Sequence, residues 1–288
     1  MTTSKIKTSK GIVEYTLLGN GRPMLIVVGG HTNCKETIFQ KGLDYDKFCF
    51  ITPSRPGYGL TPLTEENKTP KGTSDLFIAL LNELNIEKTT VVGISAGGLP
   101  ALEIAANYPD RVENLILMSA LTKKWLLNTD RVYKGAKKIF APKMEPITWF
   151  FYRLFFRLFP NLMTKTMFKQ LSTFRPVQFT TDEFQELKQM TLIMRSYKGF
   201  DNDLDQNIDQ GILKNIQCPT LILHSENDNS VDISHAQNAR DNIKGSKLFT
   251  FNNHWGHLLW LGADYDPIVK EFKQQIEHTA TTDKTKKR

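Results

Sequence analysis

The sequence predicts an α/β protein: a mostly parallel open sheet with helices on both faces, interrupted by one inserted segment of low strand character. Three observations predict it. Short apolar or β-branched runs alternate with helical patterns along most of the 288 residues, as in strands joined by crossover helices. One such run, Thr89-Thr90-Val91-Val92, leads through Gly93-Ile94-Ser95-Ala96-Gly97 into a helical pattern. The alternation then fails once, between about residues 121 and 211, where strand character is low and aromatic residues are frequent.

In chain order, residues 5–18 read as a hairpin turning near Ser9-Lys10-Gly11. Residues 24–28 and 48–52 are apolar enough for buried strands. Residues 74–84 place Leu76, Phe77, Leu80, Leu81 and Leu84 at helical spacing. Residues 91–94 form the strand before the serine, residues 99–107 the helix after it, and residues 112–118 the next strand. Residues 220–223 and 247–251 read as the last two strands. A final helix begins at Asp266, with Pro267 at its first position, where a missing N–H costs nothing. Residues 1–120 and 212–279 are therefore expected to form one discontinuous core. Residues 121–211 are the insertion, and 280–288 a disordered basic tail ending Lys284-Thr285-Lys286-Lys287-Arg288.

The Gly93–Gly97 turn carries the chemistry. A serine at the apex of a sharp strand-to-helix turn needs small residues two before and two after it, which Gly93 and Gly97 supply. The turn lifts the Ser95 hydroxyl clear of the sheet. It also sets the Ala96 N–H at a helix N-terminus, where developing negative charge is favoured. In this geometry an acid and then a histidine follow the serine in the chain. Beyond the strand at 220–223 lie Glu226, Asp228 and Asp232, and Asp228 is the preferred acid. Beyond the strand at 247–251 lie His254 and His257, and His257, preceded by Gly256, is the preferred base.

These motifs together resemble the α/β-hydrolase fold superfamily, in its capped esterase and lipase-like branch. Val27-Val28-Gly29-Gly30-His31 resembles the family's strand and oxyanion loop, with Gly29 where histidine is usual. Arg55-Pro56-Gly57-Tyr58-Gly59 resembles its Arg-Gly-x-Gly loop. His224-Ser225-Glu226-Asn227-Asp228 with Val231 resembles the acid-bearing segment, Ser225 replacing a glycine. The resemblance implies that the His31 backbone N–H joins that of Ala96 as an oxyanion donor. It also implies that the insertion after residue 118 caps the site. A Ser95–His257–Asp228 triad is then expected to cleave a carboxylic ester with an apolar acyl group through an acyl-enzyme, with no cofactor and no metal. Thioesterase, peptidase, carbon–carbon bond hydrolase and haloperoxidase chemistry are alternatives on the same scaffold, as is non-catalytic binding.

The densest aromatic stretch, residues 147–159, is too short to span a bilayer, which takes roughly 18 apolar residues. Four roles fit it: lining an acyl pocket through side chains such as Trp149 and Phe155, plain packing of the cap, a dimer contact, or peripheral membrane docking. The formal charge of +7 comes without any nucleic-acid-binding signature, so no nucleic-acid partner is expected. The N-terminal residues lack the apolar core of a signal peptide, and three scattered cysteines suit a reducing compartment. A cytoplasmic protein acting on a small-molecule ester is the resulting expectation.

Overall fold

The computed structural model describes residues 2–286. Its sheet has eight strands: β1 (Ser4–Thr8), β2 (Gly11–Leu18), β3 (Arg22–Val27), β4 (Phe48–Pro53), β5 (Thr89–Ile94), β6 (Val112–Met118), β7 (Thr220–Ser225) and β8 (Lys247–Phe251). They lie in the order β1-β2-β4-β3-β5-β6-β7-β8. The β1–β2 hairpin pairs antiparallel with itself and with β4, and every other pair is parallel. β5 sits centrally with all six residues buried. That fits its composition, β-branched at every position but Gly93, since a strand covered on both faces needs no polar alternation.

Successive side chains of one strand go to opposite faces, and the two faces have separate cores. Leu25, Val27, Val91, Leu115 and Leu117 pack under α1 (Pro70–Glu83), α2 (Gly98–Asn107) and α8 (Ser234–Asn242). Met24, Ile26, Val92, Ile116 and Met118 pack under α9 (Asp266–Lys286) and the loop holding Trp255 and Leu259. α1 starts where the Thr69 side chain accepts the Gly72 N–H and Pro70 occupies the first turn. α9 runs on to Lys286, past residue 280 where a disordered tail was expected. After Pro267 its sequence contains no proline or glycine to stop it. Lys287 and Arg288 lie outside the described residues.

Between β6 and β7 the chain forms five α-helices: α3 (Arg131–Ile139), α4 (Glu145–Leu158), α5 (Pro160–Leu171), α6 (Thr181–Ile193) and α7 (Gly199–Asp203). α6 begins in a capping box between Thr180 and Glu183. The aromatic stretch is α4, and it has two faces. Glu145, Trp149 and Phe156 are buried. Ile147, Phe150, Phe151, Leu154, Phe155 and Leu158 are exposed. Phe155 is therefore not an inward-facing pocket residue. A period of 3.6 turns it away from Trp149 and onto the outer stripe.

Candidate active site

Four loops meet at the C-terminal ends of parallel strands, the edge where open α/β sheets carry their sites. They follow β3, β5, β7 and β8. Ser95 follows β5 with φ of 51°, a left-handed conformation costly for a residue with a Cβ. The crowding around it explains its small neighbours. A Cβ on Gly97 would lie 2.0 Å from the Val27 carbonyl oxygen, and one on Gly93 would lie 2.7 Å from the Ala101 Cβ. The 3₁₀ turn Ser95–Gly97 opens directly into α2, so the Ala96 N–H lies in a first turn whose N–H groups have no intrahelical partner.

The structure joins Ser95, His257 and Asp228 in one hydrogen-bonded chain. Ser95 Oγ lies 3.1 Å from His257 Nε2, and His257 Nδ1 lies 2.8 Å from Asp228 Oδ2. The Asp228 side chain is fully buried. Burial works to raise its carboxyl, but the His257 imidazole and the Val231 N–H outweigh that and hold it below the usual carboxylate range. Its other oxygen accepts the N–H groups of Ser230 (2.9 Å) and Val231 (2.8 Å). An ionised carboxylate can only accept, so the shared proton sits on His257 Nδ1. That leaves the Nε2 lone pair facing the Ser95 hydroxyl.

The competing residues have other partners. Asp232 accepts the Ser234 N–H at the start of α8. Glu226 is exposed and accepts the Thr250 hydroxyl. His254 packs on Phe168 and Phe174 with Nδ1 3.4 Å from Glu183. Cys34, in the loop after β3, is buried, and burial pushes its thiol up to about 11, so it stays protonated. Among the described residues no cluster of three or more His, Cys, Asp or Glu side chains could hold a metal ion.

The Gly29–His31 loop lies against the serine. A Cβ on Gly29 would stand 2.9 Å from Ser95 Cβ, so the departure from histidine at this position leaves room for the serine in its strained turn. His31 also has a positive φ, 61°, and its ring stacks 3.8 Å from that of Phe200, with the tilted Phe140 ring 4.7 Å away. This enclosure lowers its pKa to about 4, so the ring is neutral near pH 7. Three residues of the insertion fix it. Ser196 Oγ lies 2.7 Å from His31 Nδ1 and accepts the Trp149 indole N–H at 2.7 Å. The Arg195 N–H donates to the His31 carbonyl. The Arg195 guanidinium is bidentate on Glu145, whose Oε1 also accepts the Ser196 N–H. Trp149 thus points inward, as a prop for the loop.

Two further braces come from the insertion. Arg55 donates through Nε to the Val28 carbonyl and through both terminal nitrogens to Asp203 of α7, at 2.6 and 2.7 Å, while the Tyr58 hydroxyl donates to the same carboxylate. At the end of α5 the Leu171 carbonyl accepts the N–H groups of both His257 and Asn229. The sequence contains no local signal for these contacts. Arg55 and Asp203 are 148 residues apart, and a backbone carbonyl leaves no mark in composition.

Comparison with known proteins bears on the fold that carries these loops. The chain is 38% identical over 260 residues to the Bacillus subtilis protein named uncharacterized hydrolase YcgS, spanning 88% of this chain and 91% of that one. It is 23% identical over 287 residues to the human serine hydrolase BPHL, spanning 95% and 87%. Among solved structures, an alpha/beta hydrolase fold protein from Nakamurella multipartita superposes with a TM-score of 0.80 at 24% identity, covering 95% of this chain and 98% of that one. The esterase EaEST from Exiguobacterium antarcticum superposes at 0.71 and 18% identity, covering 97% and 100%. A profile of the alpha/beta hydrolase fold matches residues 20–264, and this chain, a hydrolase, belongs to that family.

Proposed function

We propose that the protein cleaves a carboxylic ester with an apolar acyl group, using Ser95 as nucleophile, His257 as general base and acid, and Asp228 as the group that orients His257. The observation that carries this reading is the continuous chain from Ser95 Oγ through His257 to the buried Asp228 carboxylate. His257 Nε2 takes the Ser95 proton as Oγ attacks the acyl carbon, and Asp228 stabilises the imidazolium that forms. The carbonyl oxygen becomes an oxyanion, received by the backbone N–H groups of Ala96 and His31. The imidazolium then protonates the leaving alkoxide, and water activated by the same nitrogen releases the acid and restores Ser95.

The apolar acyl preference rests on Phe140, Trp149 and Phe200, which close around the His31 side of the site. Each methylene that such a wall buries adds up to about 0.8 kcal/mol, a few-fold in kcat/KM. Nitrophenyl esters from acetate to octanoate test the reading. Turnover should rise with chain length to a maximum, and Asp228→Asn should lose several orders of magnitude where Asp232→Asn does not. Equal turnover along the series contradicts the acyl preference. Hydrolysis of thioesters, peptides or diones with no ester turnover contradicts the substrate class.

A further inference from the structure

The outer face of the cap is apolar and basic at once. Of the nineteen large hydrophobic side chains exposed among the described residues, eleven fall in the 31 residues from Val132 to Leu162. On α4 they form a stripe at positions 147, 150, 151, 154, 155 and 158, the i, i+3, i+4 spacing of one helical face. Phe150 and Leu158 on that stripe are 60% and 58% exposed, so nothing among the described residues covers them. α5 continues it with Leu162, and the exposed Ile139 of α3 adjoins it, because the Thr148 hydroxyl of α4 donates to the Ile139 carbonyl. Over residues 131–175 the sequence carries ten Lys and Arg and one acidic residue, against a net +7 for the whole chain. That acidic residue is Glu145, which is buried and already paired with Arg195. Two of the basic side chains flank the stripe, Arg157 and Lys165, both exposed and three positions after Leu154 and Leu162 respectively, while Lys137 is paired with Asp201 and Asp205.

We propose that this face of the cap docks on an anionic lipid bilayer, with α4 lying along the interface and the surrounding Lys and Arg on the headgroups. Aromatic and Leu side chains on one face with a basic rim are what an interfacial helix requires. The charge selects the occupant. A second copy of the chain would bring two strongly basic faces together, which self-repulsion opposes. An anionic bilayer supplies both an apolar phase for Phe150 and Phe151 and counter-charge for the rim. Among the described residues no helix is long and apolar enough to cross a membrane, so contact through this face would be peripheral. The opposite face of α4 carries Trp149, whose indole reaches Ser196 and through it His31. Docking would thus set the back of the active-site cover on the lipid surface.

Sedimentation of the full chain with phosphatidylcholine vesicles, with and without phosphatidylglycerol, tests this. The wild type should bind the phosphatidylglycerol vesicles, bind pure phosphatidylcholine more weakly, and release as salt rises. The double variant Arg157→Gln/Lys165→Gln should bind the anionic vesicles about 25-fold more weakly, from about 1 kcal/mol per basic residue at such a surface. The double variant Phe150→Ser/Leu158→Ser should lose about 100-fold or more. It should also keep the wild-type melting temperature and its turnover of a soluble short-chain ester, since both side chains are exposed. No binding to anionic vesicles overturns the proposal, as does binding that neither variant weakens. A micromolar dimer broken by Phe150→Ser/Leu158→Ser without vesicle binding assigns the face to self-association and overturns it. Binding to polyglutamate but not to vesicles assigns it to an acidic protein and overturns it equally.

Discussion

Replacing Ser196 by alanine tests how the insertion holds the His31 loop. Ser196 is fully buried, and its hydroxyl serves two other side chains, the buried Trp149 and the half-buried His31. It accepts the Trp149 indole N–H and meets His31 Nδ1, each at 2.7 Å. Because His31 stays neutral at neutral pH, the hydroxyl proton is free to donate to Nδ1 while the oxygen accepts from the indole. Alanine leaves both groups unpaired. Each orphaned buried polar group costs about 1 to 3 kcal/mol, so the variant should lose about 3 kcal/mol of stability, or roughly 6 °C or more in Tm. The released His31 loop should also lower kcat about tenfold with little change in KM, a fraction of the roughly 3 kcal/mol that an oxyanion donor contributes. The assay is urea unfolding beside ester kinetics, run on Ser196→Ala, Trp149→Phe and the double variant. In the Trp149→Phe background no indole N–H remains to be orphaned, so the serine substitution should cost at least about 1 kcal/mol less there. Additive costs in the two backgrounds, or a loss below about 0.5 kcal/mol for Ser196→Ala, would refute the bridging role.

Two other outcomes follow from buried charge. Asp203→Ala strands the Arg55 guanidinium, which is buried and bidentate on that carboxylate, and should cost about 3 to 5 kcal/mol in chemical denaturation; a cost below about 1 kcal/mol would mean that water reaches Arg55. His235 is buried, with its pKa lowered to about 4 by desolvation and by Lys123 and His224, against an ordinary 6.5. Between those values the unfolded chain binds a proton that the folded chain does not, so stability should fall as pH drops from about 6.5 to 4, by about 3 kcal/mol from this residue. His235→Asn, which keeps an acceptor for the Thr122 N–H, should remove about that much of the fall in melting curves and leave the part due to His31, whose pKa is also lowered to about 4; an unchanged slope would locate the acid sensitivity elsewhere.

The parts legible in the sequence are those written locally. β6 and β8 coincide with the runs at 112–118 and 247–251, because period-2 or fully apolar patterns bounded by turn residues leave little choice of structure. The choice among Glu226, Asp228 and Asp232 follows from spacing after a strand, and the residue so chosen is the one whose carboxylate meets His257. α8 was not legible. Its sequence Ser-His-Ala-Gln-Asn-Ala-Arg-Asp-Asn buries only His235, Ala236 and Ala239, too little apolar surface to show a helical period. The direction of Phe155 failed for the opposite reason: in a stretch apolar nearly all round, composition does not say which side faces in. The props of the His31 loop come from Glu145, Trp149, Arg195 and Ser196, which only the folding of the insertion brings together.

Covalent capture of the nucleophile tests the central claim most directly. The protein treated with a fluorophosphonate probe and digested for mass spectrometry should carry one adduct, on Ser95. Labelling should be strongly slowed in His257→Ala and absent in Ser95→Ala. The latter should keep the wild-type circular dichroism and melting curve, since alanine fits the same tight turn. An adduct on any other serine would contradict the account, as would a folded Ser95→Ala protein retaining more than about one per cent of ester turnover.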